Sequence, residues 1–344
     1  QVTNASAQPM TADVPSTFAI QPSSASITTI HDIQSSDGHS PLASVEVTVR
    51  GVVVGDFQGA SPALGGFFLQ EEDGNADADP LTSEGIWITD QGNPLAVDVA
   101  VGDLVQVTGI ASESGSLTQL LNLTAVTNLG PSALPTATMV NLPATSTVMM
   151  ERFEGMRVEF PQTLSVTSNS GSNGSTDTFA RFGELLLSVN GPLVSPTEVI
   201  DPNDSPASGT STTGRSNVPA IRTLESAQTL RTIALDDAAT ADTPDPTPFL
   251  NAQGTRRVGD TVTGLAGILT YSNGAYRVQP TDAVPFLDAN PRPAAPPMIT
   301  GRLKVASMNV LNYFTTFGGA NDRGASNGDE FQRQRAKQNR WPSR

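Results

Sequence analysis

A phrase that occurs twice, 101-VGDLVQVTG-109 and 258-VGDTVTGLAG-267, decides how the chain is organised. In each copy a Gly-Asp turn precedes alternating apolar and small polar residues and ends on glycine. This is the pattern of a half-buried strand between tight turns. A β run beside a glycine precedes each copy, at 49–54 and 156–160. The ordered match predicts two copies of one small β-barrel module, with chance recurrence of a common turn as the alternative.

Composition favours a mostly β protein. The 344 residues include 30 Gly, 26 Pro and only 5% aromatics, which suits short strands joined by turns. The chain has no cysteine, which excludes disulfides and thiolate metal sites. No apolar run approaches the roughly 20 residues that span a bilayer, and the first residue is Gln1. We therefore expect a secreted, mature protein without a membrane partner.

Charge is distributed unevenly along the chain, whose net charge is −15. Through Met150 the only Lys or Arg is Arg50, against fifteen Asp and Glu, whereas nine Lys and Arg face three acids from Pro291 onward. An acidic surface repels a polyanion unless salt or divalent cations screen it. We therefore expect any DNA contact in the second module and the C-terminal tail.

Shifts in composition predict the domain boundaries, since stretches rich in Pro, Ala, Ser and Thr read as leaders or linkers. The predicted segments are an extended leader at 1–27, module 1 at 28–130, a linker at 131–147, module 2 at 148–290, a Pro-rich spacer at 291–300 and a C-terminal segment at 301–344.

An acidic loop in module 1 has the spacing of a calcium-binding loop. Oxygen-bearing side chains alternate along it, at Asp73, Asn75, Asp77 and Asp79. Glu84 falls on the twelfth position, where such a loop places its bidentate carboxylate. However, Ala78 occupies the position that normally needs glycine, and neither flank has a helical pattern. A Ca²⁺ site and a solvated acidic turn both remain open.

Two histidines and two aspartates near the start of module 1 are a second candidate metal site. These residues are His31, Asp32, Asp37 and His39, and such a set could ligate zinc. Both histidines lie in or beside a Ser-Gly loop, and no further ligand follows at a fixed spacing. We therefore favour surface-loop residues over a zinc site.

The second module carries the candidate nucleic-acid-binding residues. They are Arg256, Arg257, Tyr271, Tyr276 and Arg277. An aromatic ring beside an arginine on such a barrel can stack a base. The alternative, that these side chains cap the end of the barrel, is equally open.

An apolar strand is predicted at 303–314, and Asn309 interrupts it. A buried amide without a partner costs about 1–3 kcal/mol. Asn309 is therefore either a functional residue or a structural amide with a partner.

Several stretches resemble one family. Residues 305-VASMNVLNYF-314 and 330-EFQRQRAK-337 are similar to the start of the catalytic domain of secreted bacterial nucleases of the ExeM/NucH type. Those enzymes belong to the endonuclease/exonuclease/phosphatase superfamily. Residues 66–70 and 83–88, together with the first Val-Gly-Asp phrase, resemble the OB-like domain of the same proteins.

This resemblance implies two OB-like barrels in tandem, followed by a short stub of an α/β nuclease domain. It also implies Mg²⁺-dependent phosphodiester hydrolysis, with Asn309 at the family's first active-site asparagine. The chain departs from the family because the later Gly-Asp-x-Asn and Ser-Asp-His motifs are absent and no histidine follows His39. One asparagine cannot hold a metal or activate water. We therefore expect a truncated domain and no activity from this chain alone.

Two functional hypotheses follow. In the first, the chain is the non-catalytic front of a secreted nuclease whose barrels bind or position DNA. In the second, it is a secreted structural or adhesive protein that calcium stabilises and that assembles through the strand at 303–314, because an exposed apolar strand invites pairing. The sequence leaves open DNA against RNA, the oligomeric state and the source of a catalytic part.

Overall fold

The computed structural model describes residues 26–36, 38–91, 97–169, 178–202, 217–295 and 298. The chain divides into two compact units, residues 1–291 and 292–344. The first unit contains every strand and helix described below. The predicted nuclease-like segment at 301–344, with Asn309 and the strand at 303–314, lies outside the described residues. In the described part, none of the helices has the length and apolar character needed to cross a bilayer.

Five strands close the first barrel. They are β1 (Glu46–Phe57), β2 (Gly66–Gln70), β3 (Gly85–Thr89), β4 (Asp103–Ser114) and β5 (Leu117–Pro131). The order around the barrel is β1-β2-β3-β5-β4, with β4 paired back to β1. The β3–β5 pair is parallel and the other pairs are antiparallel. A closed five-stranded barrel of this kind is consistent with an OB-like fold.

The second barrel repeats this connectivity strand for strand. Its strands are β7 (Arg157–Ser168), β8 (Leu185–Val189), β9 (Thr232–Leu235), β10 (Thr261–Ser272) and β11 (Ala275–Gln279), with a short β6 (Thr138–Met139) beside β7. The barrel closes through β10–β7, and β9–β11 is its parallel pair. The prediction of a mostly β chain with two barrel modules is confirmed.

The repeated phrase forms the same turn in both barrels. Gly102 and Gly259 have φ angles of 96° and 93°, a region that disfavours residues with a side chain. Each glycine donates its N–H to a valine in the first strand of its barrel, at 2.9 Å for Val53 and 2.8 Å for Val166. Each following aspartate accepts the N–H three residues before it with its carboxylate. The phrase therefore fixes where the fourth strand begins and ties it to the first.

The helices are few and short. They are α1 (Ile30–Gln34), a 3₁₀ helix (Thr147–Phe153), α2 (Thr178–Phe182), α3 (Pro196–Val199) and α4 (Val218–Thr229). Helix α1 precedes β1 and buries Ile30 and Ile33 completely in the first barrel. The 3₁₀ helix precedes β7 and places Met150 in the core of the second barrel. Each barrel therefore has a helical segment packed against its core from the N-terminal side.

The segment predicted as a linker, 131–147, belongs largely to the second barrel. Strand β6 pairs with β7, and Val140, Leu142 and Ala144 are buried in the second core. The Pro, Ala and Thr content that suggested a spacer instead reflects an irregular backbone that still buries alternate apolar side chains.

The two barrels meet through a buried interface. Phe68 and Trp87 of the first barrel pack with Ile268 of the second, and the rings of Phe68 and Trp87 have centroids 4.6 Å apart. Beside them the backbones at Gly85 and Gly155 touch, so that a Cβ placed on Gly85 would lie 2.2 Å from the carbonyl carbon of Gly155. No side chain fits at that contact.

Replacing Gly85 with alanine should therefore destabilise the protein by at least about 2 kcal/mol, because strand β3 or the second barrel must move to admit the methyl group. Thermal and urea unfolding of the full chain measure this loss. Gly74→Ala is the matched control, since nothing lies within 4 Å of a Cβ at that position. Equal melting temperatures for the two variants would contradict the packing described here.

Candidate functional site

A pocket of about 990 Å³ lies between the barrels. The β10–β11 hairpin lines it with Tyr271 and Tyr276, and strands β8 and β9 contribute Leu186 and Thr232. The 3₁₀ helix, helix α4 and the first barrel complete its walls. Their lining residues include Glu151, Glu225, Gln228, His39 and Ser116. We call this cavity the inter-barrel pocket.

The tyrosine pair owes its geometry to the hairpin. Asn273 and Gly274 have φ angles of 51° and 79°, as a two-residue turn with both central residues at positive φ requires. Tyr271 and Tyr276 are therefore direct cross-strand partners, with ring centroids 4.9 Å apart at an interplanar angle of 64°. Tyr276 donates its hydroxyl proton to the carboxylate of Glu151, which fixes its ring against the pocket wall.

A cluster of carboxyl groups lies beside the pocket. Glu154 is fully buried, and its Oε1 accepts the backbone N–H of Thr118 at 2.9 Å. The hydroxyl of Thr118 in turn donates to Glu113. The Oε2 atom of Glu154 has no hydrogen-bond partner among the described residues. Burial, together with the charge of Glu151, raises the pKa of Glu154 to about 9, so this group is protonated at neutral pH.

Two groups that line the pocket, Glu151 and Tyr276, also have pKa values raised toward the uncharged form. Burial raises the pKa of Glu151, although the hydrogen bond from Tyr276 opposes the shift. Burial and the same hydrogen bond raise the pKa of Tyr276. Tyr276 is therefore a neutral donor at any physiological pH.

Two predicted nucleic-acid contacts, Arg277 and Arg256, are interior residues. Arg277 is 2% exposed, and its guanidinium donates to Glu184 at 2.9 Å and to Asp236 at 2.5 Å. Such a group, buried and paired with two carboxylates, offers no surface to a base or phosphate. Its burial has a simple cause, because a guanidinium enters an interior when carboxylates accompany it.

Arg256 is 6% exposed and has the same kind of environment. It donates to Asp260 at 3.2 Å and to Asp288 at 2.9 Å, and its guanidinium lies 4.3 Å from the ring centre of Phe286. Arg257 donates to the carbonyl of Asn290 at 2.8 Å. Of the five predicted contacts, the structure brings only Tyr271 and Tyr276 to the inter-barrel pocket.

The carboxylates of the acidic loop in the first barrel accept hydrogen bonds from the protein itself. Asp73 accepts the N–H and the hydroxyl of Thr136, and these hydrogen bonds lower its pKa. Asp77 accepts the N–H of Asp79 at 2.8 Å, and Asp79 accepts the N–H of Leu81 at 3.0 Å. Asn75 donates its side-chain amide to Glu72. Glu84 alone among the five predicted Ca²⁺ ligands is buried, at the end of the barrel where β3 begins, and Ca²⁺ binding by this loop stays a prediction.

At that end of the barrel Glu84 lies beside His31 and Glu71. His31 Nδ1 lies 2.8 Å from Glu71 Oε2 and 3.2 Å from Glu84 Oε2. Burial and the nearby carboxylate of Glu71 raise the pKa of Glu84 to about 8. Burial alone would lower the pKa of His31, but the hydrogen bonds and charges of the two carboxylates outweigh it and raise this pKa.

The described members of the candidate zinc set near the start of module 1, which the sequence did not favour as a metal site, do not come together. His31 points to the two glutamates, whereas His39 contacts the carbonyl of Gly38 and lines the pocket. Asp32 accepts the hydroxyl of Thr29, and Asp37 lies outside the described residues. Sequence reasoning missed Glu71. The sequence contained one indication of its role. Glu71 directly follows strand β2 and Glu84 directly precedes strand β3, so the two residues lie opposite each other at the end of the same hairpin.

No protein-family model matches the chain, and no curated protein sequence is significantly similar to it. Among solved structures, the hypothetical protein ygiW from E. coli is similar to the chain at 18% identity. That likeness covers 30% of this chain and 90% of that chain, with a TM-score of 0.21. At this score the likeness carries no argument, so the OB-like description depends on the strand order of the two barrels.

The raised pKa of Glu154 makes stability depend on pH. The folded state holds the proton up to about pH 9, whereas the unfolded chain releases it near the ordinary value of 4.5. This group therefore costs progressively more stability as pH rises from about 5 to 9. Glu154→Gln keeps the shape of the protonated group but does not titrate. Between pH 5 and pH 8, the free energy of unfolding of this variant should therefore rise relative to that of the parent by at least about 1 kcal/mol. Urea unfolding at the two pH values measures this difference, and Glu198→Gln, at an exposed position, is the control. Parallel pH profiles of stability for the parent and both variants would refute the prediction.

Proposed function

We propose that the two barrels are the non-catalytic, nucleic-acid-positioning part of a secreted metal-dependent nuclease, and that a single strand engages the inter-barrel pocket. The observation that carries this proposal is the place of the pocket. It lies on β8 and β9 and on the β10–β11 hairpin, the second, third and last two strands of the second barrel. OB folds bind oligonucleotides and oligosaccharides on this face and at the corresponding loop.

The tyrosine pair gives this face a means of holding a base. Stacking of a base on an aromatic ring contributes about 1–3 kcal/mol and tolerates any sequence. Tyr276 is held by Glu151, and Tyr271 packs edge-on against it while remaining partly exposed. Tyr271 is therefore the stacking platform, and Tyr276 is the support that keeps the platform in place.

The charge of the pocket indicates which part of the nucleotide enters it. Glu151 and Glu225 line the cavity, and no arginine or lysine does so among the described residues. A phosphate would be repelled by these walls, whereas an uncharged base would not. The backbone of the strand therefore stays outside the pocket, and salt or divalent cations are needed to screen it from the acidic surface.

A labelled single-stranded oligonucleotide of about 12 nucleotides tests the proposal on the full chain. With Mg²⁺ present, we expect sequence-tolerant binding that Tyr271→Ala weakens about 10-fold, because one stacking platform is lost. Phe182→Ala, which removes an exposed ring outside the pocket, should bind like the parent. Fluorescence anisotropy measures the affinity at about 50 and 200 mM salt.

Equal affinities for Tyr271→Ala and the parent would contradict the stacking role, and absence of binding at low salt would contradict the proposal itself. The oligonucleotide should also remain intact, since no histidine follows His39 in these 344 residues to act as a general base beside the predicted active-site Asn309. Cleavage that Asn309→Ala abolishes would show that the chain is catalytic. A rise in melting temperature with Ca²⁺ but no affinity for the oligonucleotide would favour the structural or adhesive alternative.

A further inference from the structure

We propose that His31, Glu71 and Glu84 form a binding site for a small divalent transition-metal ion such as Zn²⁺ or Mn²⁺, at the end of the first barrel where β2 leaves and β3 enters, and that this site shares only Glu84 with the acidic loop predicted to bind Ca²⁺. One ligand atom from each residue takes part, and these atoms all lie within 4.8 Å of one another. The proposal is independent of nucleic-acid binding, because the three residues are not among those that line the inter-barrel pocket.

The spacing of the ligand atoms suits a small ion. The imidazole Nδ1 lies 2.8 Å and 3.2 Å from the two carboxylate oxygens. A tetrahedral ion bound at about 2.0–2.1 Å from each ligand holds neighbouring ligand atoms about 3.3 Å apart. The two spacings from the imidazole differ from this value by at most about 0.5 Å, so an ion with water as the fourth ligand could replace the protons that the three groups hold.

Backbone hydrogen bonds orient both carboxylates for this role. Glu71 Oε1 accepts the N–H of Ile30, and Glu84 Oε1 accepts the N–H of Asp77 at 3.2 Å. In each group one oxygen is thus anchored and the other faces the imidazole. Ligands held in this way by an outer layer of hydrogen bonds are typical of protein metal sites. Ile30 also fixes the histidine, because its own side chain is fully buried in the barrel.

The balance of charge favours a cation. The side chains of His31, Glu71 and Glu84 are only 14%, 4% and 10% exposed. Two carboxylates and one imidazole reach neutrality in such a place without a metal only by retaining extra protons, because uncompensated buried charge is costly. A divalent ion with a neutral imidazole balances both carboxylates. The remaining exposure of the histidine leaves access for the ion and for its water ligand.

The ligand set distinguishes among metals. Ca²⁺ takes six to eight oxygen ligands, and an imidazole nitrogen with two carboxylate oxygens does not provide them. Imidazole suits zinc and its first-row neighbours, and carboxylates also suit Mn²⁺. Because the three ligands come from helix α1 and from the two ends of the β2–β3 connection, a bound ion would fasten the helix to the barrel.

The test uses the full chain after dialysis against a chelator, followed by titration with Zn²⁺, Mn²⁺ and Ca²⁺ separately. We expect one Zn²⁺ or Mn²⁺ per chain by calorimetry and a higher melting temperature with that ion. Glu84→Gln keeps the hydrogen-bond acceptor for Asp77 but loses a charged ligand, so the affinity should fall at least about 100-fold. Asp79→Asn is the matched control, because it removes a carboxylate from the acidic loop and should leave the affinity unchanged.

A second readout does not depend on stability. Co²⁺ bound to one imidazole, two carboxylates and water should give the visible absorption of a four-coordinate site, and His31→Gln should abolish it while far-UV circular dichroism stays unchanged. Failure of Zn²⁺, Mn²⁺ and Co²⁺ to bind stoichiometrically would overturn the proposal and leave an ion-paired cluster. Equal loss of affinity in Glu84→Gln and Asp79→Asn, or binding of Ca²⁺ alone, would overturn it in favour of the acidic loop.

Discussion

The contact between the backbones at Gly85 and Gly155 sets how closely the two barrels approach. Because neither residue has a side chain, strand β3 lies directly against the turn before β7, and Ser83 and Thr118 can donate to the backbone and carboxyl oxygens of Glu154. The aromatic interface then closes beside that contact. The inter-barrel pocket depends on the same approach, since residues of both barrels form its walls.

The two barrels share their strand order and their repeated turn, but they differ in the connection between their second and third strands. In the first barrel this connection begins at Glu71 and ends at Glu84, and it brings two carboxylates to His31. In the second barrel it contains helix α4, which supplies one wall of the pocket. One position in a common framework therefore carries a cluster of metal-ligating side chains in one copy and part of a cavity in the other.

Local patterns were enough to predict most of the framework. The Val-Gly-Asp phrase, the strand at Gly66–Gln70 and the strand that begins at Gly85 depend on turn chemistry and alternation, which neighbouring residues decide. The interior positions of Arg256 and Arg277 could not be predicted in the same way. Their carboxylate partners include Asp288 and Glu184, which are 32 and 93 residues away. In sequence, an exposed arginine and a buried, paired one look alike.

The candidate sites show the same division between local and distant information. Tyr271 and Tyr276 were predicted from aromatic rings near an arginine, and the two-residue Asn-Gly turn between them makes them direct cross-strand partners in the structure. Glu71 was missed because its histidine lies 40 residues away along the chain. The acidic loop was interpreted from its spacing, but Thr136, 63 residues from Asp73, takes up that carboxylate. Spacing along a chain describes a site well only when the site is built from one segment.

Closure of both barrels limits the ways in which the described strands can pair with strands of other chains. Each of the five strands in a barrel is paired on both sides, and the remaining short strand, β6, contains two residues. An unpaired strand edge is the usual template on which chains add to one another or aggregate. The described part of the protein offers almost none, which leaves few backbone groups to which another chain could add a strand. Recognition of other molecules by the two barrels must then proceed through side chains and cavities instead of through shared sheets.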